Sequence, residues 1–194
     1  MARDLESARA ISDQLFATAG DPEELAEKLR ARRAERNDSG IERWRDWLGA
    51  NLHDTLALGD DELERRHDLI QWLFPLGSRS PVNADAPVIG RHAMLMAVQA
   101  EPVLRDALLM AWQRMLRFYG LFEVQGSVRW VDAPRDWAAS VTHHDRRISR
   151  MLHAMHSAGL DAQAMALMDF LQQQFVAKPH RAKALSWWRH QVVS

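Results

Sequence analysis

The chain has 194 residues, 47% of them apolar and 26% charged, with 25 Lys plus Arg against 26 Asp plus Glu and a net charge of −1. That length supports a full hydrophobic core, and the charge balance removes the overall basic excess expected of a nucleic-acid binder. No cysteine is present, which excludes disulfides, thiolate catalysis and cysteine-ligated zinc or iron–sulfur centres.

The N-terminus, MARDLESARAISDQLF, is charged and amphipathic and lacks the apolar core of a secretory signal. No window approaches the ~20 apolar residues of a membrane-spanning helix, so a soluble cytoplasmic protein without a transmembrane segment is expected. Helical spacing of Leu5, Ala8, Ile11, Leu15 and Phe16 predicts a first helix over 3–18. Asp21, with Pro22 at the first helical position and Glu24 three residues on, predicts a second helix running to Arg36. Arg30, Arg32, Arg33 and Arg36 form a basic cluster there, but Glu24, Glu27 and Glu35 beside it point to a solvated face. Asn37 to Gly40 ends this helix.

A short helix carrying Trp44 and Trp47 is predicted over Ile41–Gly49. Asp61 and Glu64 read as a capping box for the next helix, which buries Leu63, Ile70, Leu73 and Phe74 and stops at Pro75. Residues 75–88 hold three prolines and should be a loop, long enough to suggest a functional role. A short helix over His92–Gln99 precedes a strong one from Pro102 to Tyr119, stopped by Gly120. Residues 121–131 fit a small hairpin or an irregular loop equally well. Pro134 begins a turn or short helix with Trp137. Thr142 caps a helix burying Ile148, Met151, Leu152 and Met155 and ending at Gly159. Asp161 caps another, with Met165, Met168, Leu171 and Phe175 inward, broken by Pro179. A last helix holds Leu185, Trp187 and Trp188. The fold expected is all-α: one compact domain of about eight helices, with at most one small β-hairpin near 121–131.

Two polar constellations stand out. His67 and Gln71, four apart, would share one helix face beside Trp72, offering donors and acceptors for a peptide backbone or carboxylate; equally, they would brace the loop that follows. His143, Arg146, Arg147 and Arg150 would form a positive stripe opposite Ile148 and Met151, suited to a carboxylate or phosphate, or else to pairing with Asp132, Asp136 or Asp145. The nine histidines include no His-x-x-x-His pair on a predicted helix, so neither a metal nor a cofactor is expected. Neither a glycine-rich phosphate loop nor a Gly-x-Ser-x-Gly elbow is present.

The order His67-Asp68, Ile70-Gln71-Trp72, Leu73-Phe74-Pro75-Leu76, then Ser80, Asn83 and Ala86-Pro87 resembles the opioid growth factor receptor conserved region. Leu63-Glu64, Phe118-Tyr119-Gly120, and Trp137 followed by His143 and Arg147-Ile148-Ser149-Arg150 extend the similarity to about Trp188. The pattern normally has asparagine after the first histidine of this second segment, where this chain has His144. The resemblance implies an all-helical domain at 41–194, with 1–40 as an N-terminal helical extension, and looks like a stand-alone microbial form of the family. In animals, the family includes a receptor for the pentapeptide Met-enkephalin associated with nuclear and perinuclear membranes.

The function expected is therefore a non-enzymatic domain binding a short peptide or an anionic small ligand. Its candidate site residues are His67, Gln71, Trp72, Ser80, Asn83, His143, Arg147 and Arg150. The alternatives are a structural or protein-interaction module, and a hydrolase using His67, Asp68 and His143. No nucleic-acid partner is expected, and the oligomeric state is left open.

Overall fold

The computed structural model describes residues 21–31 and 39–193; the expected helix over 3–18, the residues Arg32, Arg33 and Arg36, and the side chain of Arg30 lie outside them. The described residues are mostly helical, with nine α-helices and one two-stranded antiparallel hairpin, as the sequence pattern predicts. They divide into two compact units, residues 21–111 and 112–193.

The first unit opens with α1 (Pro22–Ala31), where Asp21 Oδ1 accepts the Glu23 N–H at 2.9 Å, the cap expected of it. Helix α2 (Ser39–Ala57) is twice as long as the short helix expected. Its buried row Ile41, Trp44, Leu48, Leu52 and Leu56 continues through Gly49, so packing overrides the low helix propensity of that glycine. Ser39 and Gly40 accordingly begin a helix rather than end one.

The single helix expected up to Phe74 is two, α3 (Asp60–Arg65) and α4 (Leu69–Leu73). Asp61 is not a cap; Gly59 holds that position, without a side-chain bond. The chain leaves helical geometry at Arg66 (φ −86°, ψ 76°), yet Leu63, Ile70, Leu73 and Phe74 are all buried as expected. A loop follows, then α5 (Arg91–Ala100) and α6 (Pro102–Phe118), which gives its residues up to Ala111 to this unit. Arg45 and Glu101, both buried, form a two-pronged ion pair at 2.7 and 3.1 Å.

In the second unit, β1 (Leu121–Val124) pairs with β2 (Ser127–Trp130) in the register Leu121–Trp130 to Val124–Ser127. The connecting Gln125 and Gly126 both have positive φ, 49° and 71°, the two-residue turn that matches strand twist. The hairpin alternative therefore holds over the irregular loop. A 3₁₀ turn (Asp136–Ala138) leads to α7 (His144–Ser157), α8 (Asp161–Phe175), a second 3₁₀ turn (Pro179–Arg181) and α9 (Ala182–Val193). Helices α7, α8 and α9 pack against one another. Thr142 Oγ1 accepts the His144 N–H at 3.3 Å, and Gly159 takes φ +73° after α7. Asp161 is the first residue of α8 rather than its cap, and its carboxylate turns to His156 Nδ1, 2.5 Å away. Met165, expected inward, is exposed; Met168, Leu171 and Phe175 are buried as expected, together with Ala164 and Leu167.

Candidate functional site

The loop between α4 and α5 is closed at its base. Leu76 and Val88 form a parallel bridge, and the Ile89 N–H donates to Leu76 O at 2.9 Å. Gly77 approaches so near to Gly90 that a Cβ there would lie 3.3 Å from the Gly90 Cα. The Asp68 carbonyl oxygen is the junction between loop and helix. Asn83 Nδ2 donates to it at 3.3 Å. The Gln71 amide, oriented to satisfy its neighbours, places its nitrogen 2.8 Å from the same oxygen and 2.9 Å from His67 O. Asn83 Oδ1 also accepts the Asp85 N–H, and Ser80 Oγ accepts the Val82 N–H. These three polar side chains thus direct their bonds to backbone groups that an irregular loop would otherwise leave unpaired.

His67 sits in the turn between α3 and α4 and is exposed, so it does not share a helix face with buried Gln71. Asp68 points its carboxylate at Arg66, with Nε–Oδ1 3.4 Å and Nη2–Oδ2 3.5 Å.

Trp72 is half-buried and stacks on half-buried Trp47, with ring centroids 5.2 Å apart and planes 11° off parallel. Behind them fully buried Trp44 donates its indole N–H to Trp72 O at 2.9 Å. Arg43 reaches Asp85 O at 3.4 Å. The first unit therefore brings Gln71, Trp72 and Asn83 together around one short helix, with Ser80 further along the same loop. The sequence points to Trp44 and Trp47 but does not connect them to Trp72, because contact between helices leaves no mark in local spacing.

In the second unit His143, Arg147 and Arg150 lie on or just before α7. The His143 and His144 rings are 4.1 Å apart, and the His144 ring packs on Phe118 and Tyr119. Arg147, expected on a positive stripe opposite Ile148 and Met151, is instead buried, with its guanidinium 5.8 Å from the centre of the Phe118 ring. Arg146 is exposed and Arg150 half-buried. Burial lowers the pKa of Arg150 from its usual value.

Asp145, considered as a partner for the arginines of its own helix, pairs instead with Arg181. The two are 2% and 0% exposed in their side chains and 3.0 Å apart. Arg181 also donates to Ser140 O at 2.8 Å and lies over the Phe175 and Trp188 rings at 4.7 and 5.2 Å. Trp188 Nε1 donates to Asp145 O at 3.0 Å. Burial raises the Asp145 pKa, and Arg181 pulls it part of the way back. Sequence reasoning misses this bracket, since a buried cation looks like any surface arginine in sequence.

No solved structure matches the chain. Opioid growth factor receptor of Rattus norvegicus is 31% identical over 139 residues, which cover 66% of this chain and 23% of the relative. The mouse protein of that name, from Mus musculus, is 32% identical over 124 residues (60% and 19%), and the Homo sapiens protein 31% over 127 (61% and 18%). The chain thus spans less than a quarter of the length of these relatives. The family described as the opioid growth factor receptor (OGFr) conserved region matches residues 48–193, three quarters of the chain, and the chain belongs to that family.

Proposed function

We propose that residues 41–194 form a non-enzymatic domain that binds a short peptide or an anionic small ligand, following 1–40 as an N-terminal extension. The observation that carries this reading is the half-buried Trp47–Trp72 stack beside a polar loop braced by its own side chains. A loop held in advance loses less entropy on binding, and paired indoles give a rigid apolar wall. In this reading Gln71, Ser80 and Asn83 shape the loop, Trp72 is the wall, and exposed His67 supplies a polar contact. His143, Arg147 and Arg150 are the residues assigned to an anionic group, and a bound anion would favour the charged form of the desolvated Arg150. The name of the relatives points to a peptide ligand in those proteins.

The second reading is a structural or protein-interaction module, and Gln71 favours it. Its amide is turned onto two backbone carbonyls rather than outward. Titration calorimetry separates the two readings, with Met-enkephalin, other short peptides and small carboxylates as probes. Ligand binding predicts that Trp72→Ala and Arg150→Gln weaken the affinity of at least one probe while the fold survives. Absence of any binding, or affinities unchanged in both variants, rejects it and leaves the structural module.

A further inference from the structure

We propose that the outer face of α9, with the turn leading into it, is a docking surface for an acidic polypeptide segment. This surface shares no residue with the loop site and does not depend on it. From Phe170 to the last residue the sequence contains no aspartate or glutamate, while it holds Lys178, His180, Arg181, Lys183, Arg189 and His190. Arg181 is taken up inside the core by Asp145. Lys178 and Lys183 are exposed and lie over the Phe175 and Trp187 rings at 5.1 and 4.9 Å, and Arg189 reaches the neutral Gln172. No carboxylate pairs with any of these three among the described residues.

The apolar part of the face is specific. In the adjacent pair, Trp188 is fully buried, whereas Trp187 is 46% exposed on the side that carries Lys183. Val193, at the end of the helix, is exposed as well. His153 Nδ1 and Gln191 Oε1, 2.9 Å apart, tie α9 to α7, whose exposed Arg146 lies on the same helical row as His153. An exposed tryptophan with Lys183 over its ring, in a segment whose Lys178 and Arg189 also meet no carboxylate among the described residues, suits a protein interface with an acidic partner.

Other anionic surfaces fit less well. A nucleic acid would meet a chain with net charge −1 and no long-range basic field. A bilayer needs a broad apolar stripe, but Ser186 and His190 interrupt the surface around Trp187.

The test is fluorescence anisotropy with a labelled short Asp/Glu-rich peptide and the full chain, beside a Ser/Gly-rich control peptide. Phosphatidylserine-containing vesicles and a single-stranded oligonucleotide serve as competitors. The expected result is acidic-peptide binding that weakens with added salt. It should fall about tenfold in the Lys178→Glu/Lys183→Glu double variant, as expected for reversing two exposed charges. Trp187→Ala should also weaken it, while Arg129→Glu, on the exposed side of β2, should not. Since these residues are exposed, circular dichroism should show an unchanged fold. Absence of acidic-peptide binding, an unchanged affinity in the double variant, or tighter binding of vesicles or oligonucleotide would overturn the proposal.

Discussion

The indole nitrogen of Trp44 lies 2.9 Å from the carbonyl oxygen of Trp72, and this bond fastens α4 to α2. Helix α4 has only five residues, so its last carbonyls have no partner within the helix and must find one elsewhere. Trp44 provides it from a fully buried position. Trp44→Phe removes that donor and leaves a void. The expected cost is about 2–4 kcal/mol, checked by urea unfolding, with the Trp47–Trp72 stack loosened as a second effect.

Gln71→Ala leaves the His67 and Asp68 carbonyls short of a donor and should cost about 1–3 kcal/mol. Asn83→Ala removes a longer bond at a half-buried position and should cost about 0.5–1.5 kcal/mol. Thermal melts of both variants check the order. If Asn83→Ala proved the more damaging, Asp68 O would not be the main brace of the loop.

Gly120→Ala should disturb the exit from α6. Gly120 has φ +70°, and an added Cβ would meet Arg135 Nε at 2.7 Å. Arg135 holds Phe118 O through Nη1, so moving it aside weakens a second contact. The expected loss is roughly 1–3 kcal/mol, measured as a lower midpoint of chemical unfolding.

The Asp145–Arg181 bracket predicts a pH dependence. Burial sets the folded-state pKa of Asp145 above the ordinary 3.8. Between those two values the folded chain holds more protons than the unfolded one, so this group's contribution to stability falls as pH rises through that window. Arg181→Met removes the charge that opposes the shift, raising the pKa further. The variant should be about 3–5 kcal/mol less stable near neutral pH, and its deficit should shrink on acidification. Urea unfolding at a series of pH values measures both effects; a deficit that grows toward low pH would contradict the assignment.

Helix order was largely legible, because apolar residues recur at helical spacing and Pro75, Gly120, Gly159 and Pro179 punctuate it. The hairpin was legible only as one of two options, since four-residue strands carry little alternation. What failed was decided by contacts between distant residues. The turn after Arg65 is held through Asp68 O by Asn83, 15 positions on, and the length of α2 depends on a buried row running past Gly49. Arg181 could not be recognised as interior because its counter-ion lies 36 positions away. Of the candidate site, the linked roles of Gln71 and Asn83 were partly readable, whereas the burial of Arg147 against Phe118 was not.

The pinned base of the 75–88 loop has an evolutionary consequence. With Leu76 tied to Val88 and Ile89, and Gly77 set close against Gly90, the two ends stay together whatever length of chain runs between them. Doubling the length of such an excursion adds only about 0.6 kcal/mol of closure entropy. Exposed Ser78 and Arg79, which take no part in the bracing bonds of Gln71, Ser80 and Asn83, are therefore where insertions can accumulate with least damage, and where a graft or reporter tag would be tolerated.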